Sequence, residues 1–96
     1  MAEKLGLDVI KQWIASQSGW AYKSKAIRKE YMFPSFRNSI VFVNRIASIA
    51  DDLNHHPDID VRYTKVTLTI TTHDSGGVTA HDLALAEKID FATSAR

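Results

Sequence analysis

Three of the four histidines in this 96-residue chain, His55, His56 and His73, stand where chemistry is most easily built. His55 and His56 close a long run of helical period, and His73 closes the most strand-like segment. Asp51 lies one helical turn before His55, and Asp82 follows His73 by nine residues. Imidazole changes charge near neutral pH, and a neighbouring carboxylate orients its ring, so this set is suited to moving protons. The expected chemistry is acid and base catalysis on a neutral or weakly charged substrate, with no covalent intermediate and no prosthetic group. Asp51-Asp52 sit at a helix C-terminus, where the dipole favours cations, and that misfit points to a functional carboxylate. Two plainer readings compete. Each histidine alone suits a surface or structural role, and a metal site would require the adjacent His55 and His56 to aim their rings together without any His-x-x-x-His pair on a helix. His81, in the first turn of the last helix, reads as solvated and receives no role.

The elements that must bring these residues together follow from the apolar periods. Leu7, Ile10, Trp13 and Ile14 mark a first short helix, with Asp8 as its candidate cap. Trp20-Ala21-Tyr22 begins a short strand, Lys23-Ser24-Lys25 forms a hairpin loop, and Ala26 to Phe33 alternates as a second strand, with Ile27, Tyr31 and Phe33 on one face and Lys29 interrupting it. Ser35 caps a long helix with two adjacent apolar stripes. One is Phe36, Ile40, Val43, Ala47 and Ala50, and the other is Phe42, Ile46, Ile49 and Leu53. That breadth predicts packing against more than one partner. Pro57 ends the helix near Asn54 or His55. Ile59, Val61 and Tyr63 form a third strand, and Val66 to His73 a fourth, joined by a turn near Thr64 and Lys65 that places His55, His56 and His73 side by side. Thr79 caps a last helix carrying Asp82, Leu83, Leu85, Ala86, Ile89 and Phe91. Trp20, Tyr22, Phe33, Phe36 and Tyr63 read as core aromatics.

The order α-β-β-α-β-β-α predicts an α+β fold, a single domain over residues 1–96 with a four-stranded, mostly antiparallel sheet and helices on one face. Composition agrees: 45% hydrophobic, 24% charged, four Gly and two Pro describe an ordinary globular domain. Twelve Lys and Arg against eleven Asp and Glu leave a net charge of +1, which gives no general pull toward nucleic acid or anionic lipid. The absence of Cys removes disulfides, thiolate metal sites and cysteine nucleophiles. Neither a basic leader followed by an apolar run nor a stretch of membrane-spanning length occurs, so the expected address is cytoplasmic.

The spaced pattern Asp51, His55-His56-Pro57, Tyr63, His73 and Asp82 resembles the signature of the pterin-4a-carbinolamine dehydratases. The similarity runs from Trp20 through Phe33, Phe36 and Phe42 to Leu85-Ala86 and Ile89, about three quarters of the chain. What the resemblance implies is a hydro-lyase, 4a-hydroxytetrahydrobiopterin dehydratase, that converts 4a-hydroxytetrahydropterin to quinonoid dihydropterin and recycles the cofactor of aromatic amino acid hydroxylases. It implies no metal or organic cofactor, the pterin being substrate, and a homodimer or homotetramer. By motif position His55 and His73 transfer protons at the 4a-hydroxyl and a ring nitrogen, His56 binds the pterin, and Asp51, where relatives often carry Glu, orients the cluster. Asn54, Thr71, Thr72, Asp74 and Asp82 join the histidines as the expected pterin contacts. Relatives in animals also serve as dimerisation cofactors of a transcription factor, so the alternative is a non-catalytic protein-binding module. That function would depend on Ile40 or Phe42 rather than on the histidines.

Overall fold

A computed structural model describes residues 2–94. Its elements are α1 (Leu7–Ser16), β1 (Ala21–Lys23), β2 (Ala26–Met32), α2 (Phe36–Leu53), β3 (Asp58–Arg62), β4 (Lys65–Ile70) and α3 (Ala80–Ser94), with a 3-10 turn at His73–Ser75. The strands form one sheet in the order β1-β2-β4-β3, and every pairing is antiparallel. The register Ile27↔Ile70, Lys29↔Leu68 and Tyr31↔Val66 sets one residue in two of each central strand on the same face. There Ile27, Val66, Leu68 and Ile70 are fully buried beneath Phe42, Ile46 and Ala50 of α2 and Leu85, Ala86 and Ile89 of α3. Each large aliphatic side chain so buried contributes roughly 1.5–3 kcal/mol. The other face carries Arg28, Glu30, Asp58 and Asp60.

Lys29 interrupts the alternation of β2 for a reason visible only in three dimensions. It lies on the helix-facing side, where its ammonium donates to Asp90 Oδ1 of α3 at 2.9 Å and to the Ser18 carbonyl at 2.7 Å. Asp90 also accepts from Tyr31 Oη at 2.6 Å and Trp20 Nε1 at 2.7 Å. Burial, reinforced by the hydrogen bond to Asp90 and by its charge, pushes the Tyr31 phenol well above the ordinary tyrosine range, so it stays a donor. With the bond from Trp13 Nε1 of α1 to Glu87 at 2.7 Å, this network fastens the second half of α3 to the sheet and to α1. The first turn of α3, which carries Asp82, is thereby held in a fixed place.

Several local expectations are corrected. The cap of α1 is Gly6, with no side-chain bond, and Asp8 lies inside the first turn. Trp20 precedes β1 and belongs to the core. The turn between β3 and β4 sits one residue earlier than the spacing predicts. Tyr63 takes a left-handed φ of 57° there and is 73% exposed, so it is neither a strand residue nor a core aromatic. β4 ends at Ile70, three residues short, because the chain leaves the sheet and turns at His73. On α2 the buried line is Ser39, Phe42, Ile46 and Ala50. Phe36 is half exposed, whereas Phe42, 6% exposed, packs its ring 4.7 Å from Tyr31 and 4.9 Å from Phe33. Phe42 is therefore a core residue. Phe91, counted among the apolar residues of the last helix, is 75% exposed. Ser35 does cap α2, its hydroxyl accepting from the Asn38 amide at 3.1 Å.

Candidate active site

The end of α2 positions the first two histidines. Asn54 takes a left-handed conformation with φ 51°, and the amides of Asn54 and His55 bond back to the carbonyls of Asp51 and Ala50. This pairing is a Schellman closure, with Asn in the place usually taken by Gly. Asn tolerates that backbone because its short polar side chain can bond locally. The helix stops at once, the chain turns into β3, and His55 and His56 emerge at the corner. The Asp58↔Thr69 pair sets the beginning of β3 beside the end of β4, just before Thr71, Thr72 and His73. A cavity of about 280 Å³ opens between the two, lined by Asn54, His55, His56, Thr71, Thr72, His73 and Asp74.

Beneath His55 lies a fully buried carboxylate. Asp82 is 0% exposed, and its Oδ1 stands 2.5 Å from His55 Nε2. Its Oδ2 accepts from the Thr79 amide at 2.7 Å and from the Thr72 hydroxyl at 2.8 Å. The Thr79 hydroxyl lies 2.9 Å from that of Thr72 and accepts from the His81 amide at 3.2 Å. Thr79 and Asp82 thus form a capping box at the start of α3, where a carboxylate also meets the positive end of the helix dipole. An ionised carboxylate only accepts, so the proton of a neutral His55 ring sits on Nε2. Nδ1 has no hydrogen-bond partner among the described residues and is free to exchange a proton.

The other groups are held differently. His56 Nε2 meets Asp51 Oδ1 at 2.9 Å, with both side chains more than half exposed. Such a pair is worth at most about 1 kcal/mol. His73 begins the 3-10 turn and is exposed at the cavity mouth, with no side-chain bond among the described residues. Thr71 donates its hydroxyl to the Lys25 carbonyl at 2.7 Å, which ties the cavity wall to the β1–β2 hairpin. Asp82, expected as a pterin contact, stands behind His55 rather than on the cavity surface. Among the described residues, no three His, Asp or Glu side chains converge as metal ligands.

Two residues given no site role by the sequence join this cluster. His81 lies with its ring centroid 5.8 Å from that of His55. Thr79 links the capping box to Thr72. The signal for Thr79 was its capping position three residues before Asp82. That for His81 was only its place next to Asp82 in the first helical turn, because one residue fixes no direction for a ring.

The sequence profile of the family described as pterin 4 alpha carbinolamine dehydratase matches residues 3–92. A Roseiflexus sp. (strain RS-1) protein named for pterin-4-alpha-carbinolamine dehydratase is 44% identical over 90 residues, spanning 94% of this chain and 97% of its own. One from Sulfurisphaera tokodaii with the same name is 41% identical over 88 residues, 92% and 95% of the two chains. Among solved structures, a transcriptional coactivator/pterin dehydratase from Brucella melitensis superposes with a TM-score of 0.88 at 28% identity, covering 92% of this chain and 96% of that one. The match is thus nearly full-length in both sequence and fold, and the chain belongs to the pterin 4 alpha carbinolamine dehydratase family.

Proposed function

We propose that this chain is a cytoplasmic hydro-lyase that dehydrates 4a-hydroxytetrahydropterin to quinonoid dihydropterin and so recycles the tetrahydropterin of an aromatic amino acid hydroxylase. The observation that carries the reading is the placement of three imidazoles around one cavity, one of them held by a fully buried carboxylate. At about 280 Å³ the cavity lies near the lower end of the range for small-molecule sites, in keeping with a bicyclic ring whose side chain stays outside. In the reaction the C4a–O bond breaks with its electron pair going to oxygen, which takes a proton from an imidazolium and leaves as water. The nitrogen electron pair closes a C=N bond, and a neutral imidazole accepts the ring-nitrogen proton. His55, with Nε2–H fixed on Asp82 and Nδ1 free, suits the base. His73, at the mouth and with neither ring nitrogen held among the described residues, suits the acid, and His56 with Asp51 binds the ring. Asp82 acts through His55, and no metal or organic cofactor takes part.

The test is direct. Chelator-treated wild-type protein is expected to accelerate dehydration of 4a-hydroxytetrahydropterin, followed by the absorbance of the quinonoid product, by a factor of about 10² or more over buffer. No acceleration by folded protein overturns the reading.

The outer face of α2 supports a homo-oligomer. Phe36 and Val41 are half exposed there, beside a cleft of about 300 Å³ lined by Phe36, Arg37, Ile40, Val41 and Asn44. Arg37 and Arg45 lie in the first two thirds of the helix and Asp51 and Asp52 at its end, so an antiparallel second copy brings unlike charges together. Sedimentation equilibrium is expected to give a dimer or tetramer that Val41→Glu dissociates. A wild-type monomer at micromolar concentration removes self-association and leaves this face to a different protein, as the coactivator name of the Brucella melitensis structure suggests.

A further inference from the structure

His73 is the one imidazole lining the cavity that no side chain among the described residues holds; its position is set by the backbone turn that carries it. That turn is closed on one side by the reciprocal bridge between Thr72 and Gly77, with Thr72 N donating to the Gly77 carbonyl at 3.0 Å and Gly77 N to the Thr72 carbonyl at 3.3 Å. Within it, the Ser75 and Gly76 amides donate to the carbonyls of Thr72 and His73 at 3.0 Å each. On its other side lies the segment before α1, some 70 residues away in sequence. The Ser75 hydroxyl donates to the Ala2 carbonyl at 2.6 Å, and the Leu5 amide donates to the Val78 carbonyl at 2.8 Å. Between these two bonds the aliphatic stem of Lys4 lies over Gly77 so closely that a Cβ there would stand 2.8 Å from Lys4 Cδ. Leu5 itself packs against the core and anchors the segment.

We propose that residues 2–5 form a strap that positions His73 for proton transfer, making the N-terminal segment a distant part of the active site. The reasoning is geometric. A bare 3-10 turn of three residues has weak internal hydrogen bonding, and a loop bridged on one side only opens locally at low cost. Two backbone-directed bonds on the opposite side, together with the Lys4 stem on Gly77, fix the turn from both flanks. Gly77 leaves room for this contact, because a Cβ there would have to displace the Lys4 stem. The contacts to Ala2 and Leu5 use main-chain groups on the strap side, so the strap tolerates sequence change there and leaves little trace as a motif.

The catalytic part of this inference rests on the dehydratase reading, so the experiment has one arm that does not. In removal of residues 2–5, and separately in Ser75→Ala, hydrogen exchange of residues 71–78 is expected to quicken by about tenfold or more while exchange in β2 and β4 stays as in wild type. Turnover of 4a-hydroxytetrahydropterin is expected to fall by about tenfold, with KM within about twofold, because displacement of a proton donor by a fraction of an ångström acts on the chemical step. In a His73→Ala background the same changes should lower the residual rate by less than about twofold, since the group being positioned is gone. A purely structural role for the strap predicts instead the same fractional loss in both backgrounds, and that result, or unchanged exchange at 71–78, overturns the proposal. If wild type itself fails to accelerate dehydration, the dehydratase reading falls in that arm alone, and the exchange measurement still decides whether the strap holds the turn. Ser75→Ala, which deletes one hydroxyl at a partly buried position, keeps the test open should the shortened chain fail to fold.

Discussion

Asp82→Asn is expected to lower turnover of 4a-hydroxytetrahydropterin by about 10²- to 10⁴-fold while KM changes by no more than a few-fold. The carboxylate, fully buried, is held at under 3 Å by groups of three residues: His55 Nε2 on one oxygen, the Thr79 amide and the Thr72 hydroxyl on the other. Asn offers one acceptor and one two-proton donor to the same three partners. If its oxygen faces Thr79 and Thr72, its NH₂ faces His55 Nε2, and the imidazole must move its proton to Nδ1. The nitrogen that faced the substrate as a base then becomes a donor. If the amide is turned the other way, His55 keeps its tautomer, but the NH₂ confronts the Thr79 N–H and displaces the Thr72 hydroxyl proton. A buried donor left without an acceptor costs about 1–3 kcal/mol. The substitution therefore costs activity in the first orientation and stability in the second, and the first, which keeps the Thr79 N–H and the Thr72 hydroxyl paired, is the one that sets the expected loss of rate. Steady-state kinetics gives the loss, and nitrogen chemical shifts of His55 report which tautomer is present. Folded Asp82→Asn with a turnover within about fivefold of wild type removes Asp82 from the mechanism.

The contrast between Asp82 and His73 shows what was legible in the sequence. Period-two runs such as Val66–Ile70 and the helical stripe Phe42, Ile46 and Ala50 carry the core, because burial of a face repeats along the chain. The element order and the meeting of His55, His56 and His73 followed from those periods. The spaced histidines and aspartates also carried the family resemblance. Residues whose position depends on a break in periodicity were placed less well. Alternation extended β4 to His73, whereas the Thr72–Gly77 bridge takes the chain out of the sheet after Ile70. Tyr63 continued the parity of Ile59 and Val61, yet it lies in a turn at positive φ, which the pattern of apolar residues does not encode. Lys29 breaks the alternation of β2 with no local reason, because its partner, Asp90, is 61 residues away. For Asp82 the pterin contact is what the family resemblance implies, and the residue's own place in the chain does not set the direction of its side chain. Position in a first helical turn says that a carboxylate suits the dipole, but only the packing of Thr72 against it shows that it faces inward.

The polar interior thus falls into two stations along α3, one at each end of the helix. Asp90 gathers Lys29, Tyr31 and Trp20 and fixes the helix on the sheet; Asp82 gathers Thr72, Thr79 and His55 and faces the cavity from behind. Charge-assisted bonds of this kind are stronger than neutral ones, and leaving one partner unpaired in the interior is costly. Rigidity at the Asp90 end keeps the Asp82 end in register with the end of α2, which lies on a different element and carries the imidazole that Asp82 orients. The carboxylate stands at the start of α3 and the ring it serves just past the end of α2, two helices that meet across the shared core and through the bond from the Arg45 guanidinium to the Ala92 carbonyl at 3.1 Å.

The largest losses are expected for His55→Ala and His73→Ala, each lowering turnover by about 10²–10⁴-fold, the usual worth of a positioned proton-transfer group. His56→Ala should act mainly on KM, by a few-fold to tenfold, because its ring is exposed and paired with an exposed Asp51. Asp51→Ala should change less than His56→Ala, since it removes only the partner of a solvated ring. The double variant His55→Ala/His73→Ala is expected to lose much less than the product of the single losses. Departure of water and removal of the nitrogen proton belong to one reaction, and once either group is missing the remaining one no longer limits it. Single-turnover measurements on freshly generated carbinolamine, with folding checked by circular dichroism, separate these outcomes. Fully multiplicative losses in the double variant would place the two histidines in independent steps. A folded His55→Ala or His73→Ala that keeps its turnover within about fivefold removes that residue from proton transfer; where it is His55, the burial of Asp82 against it then has only a structural meaning.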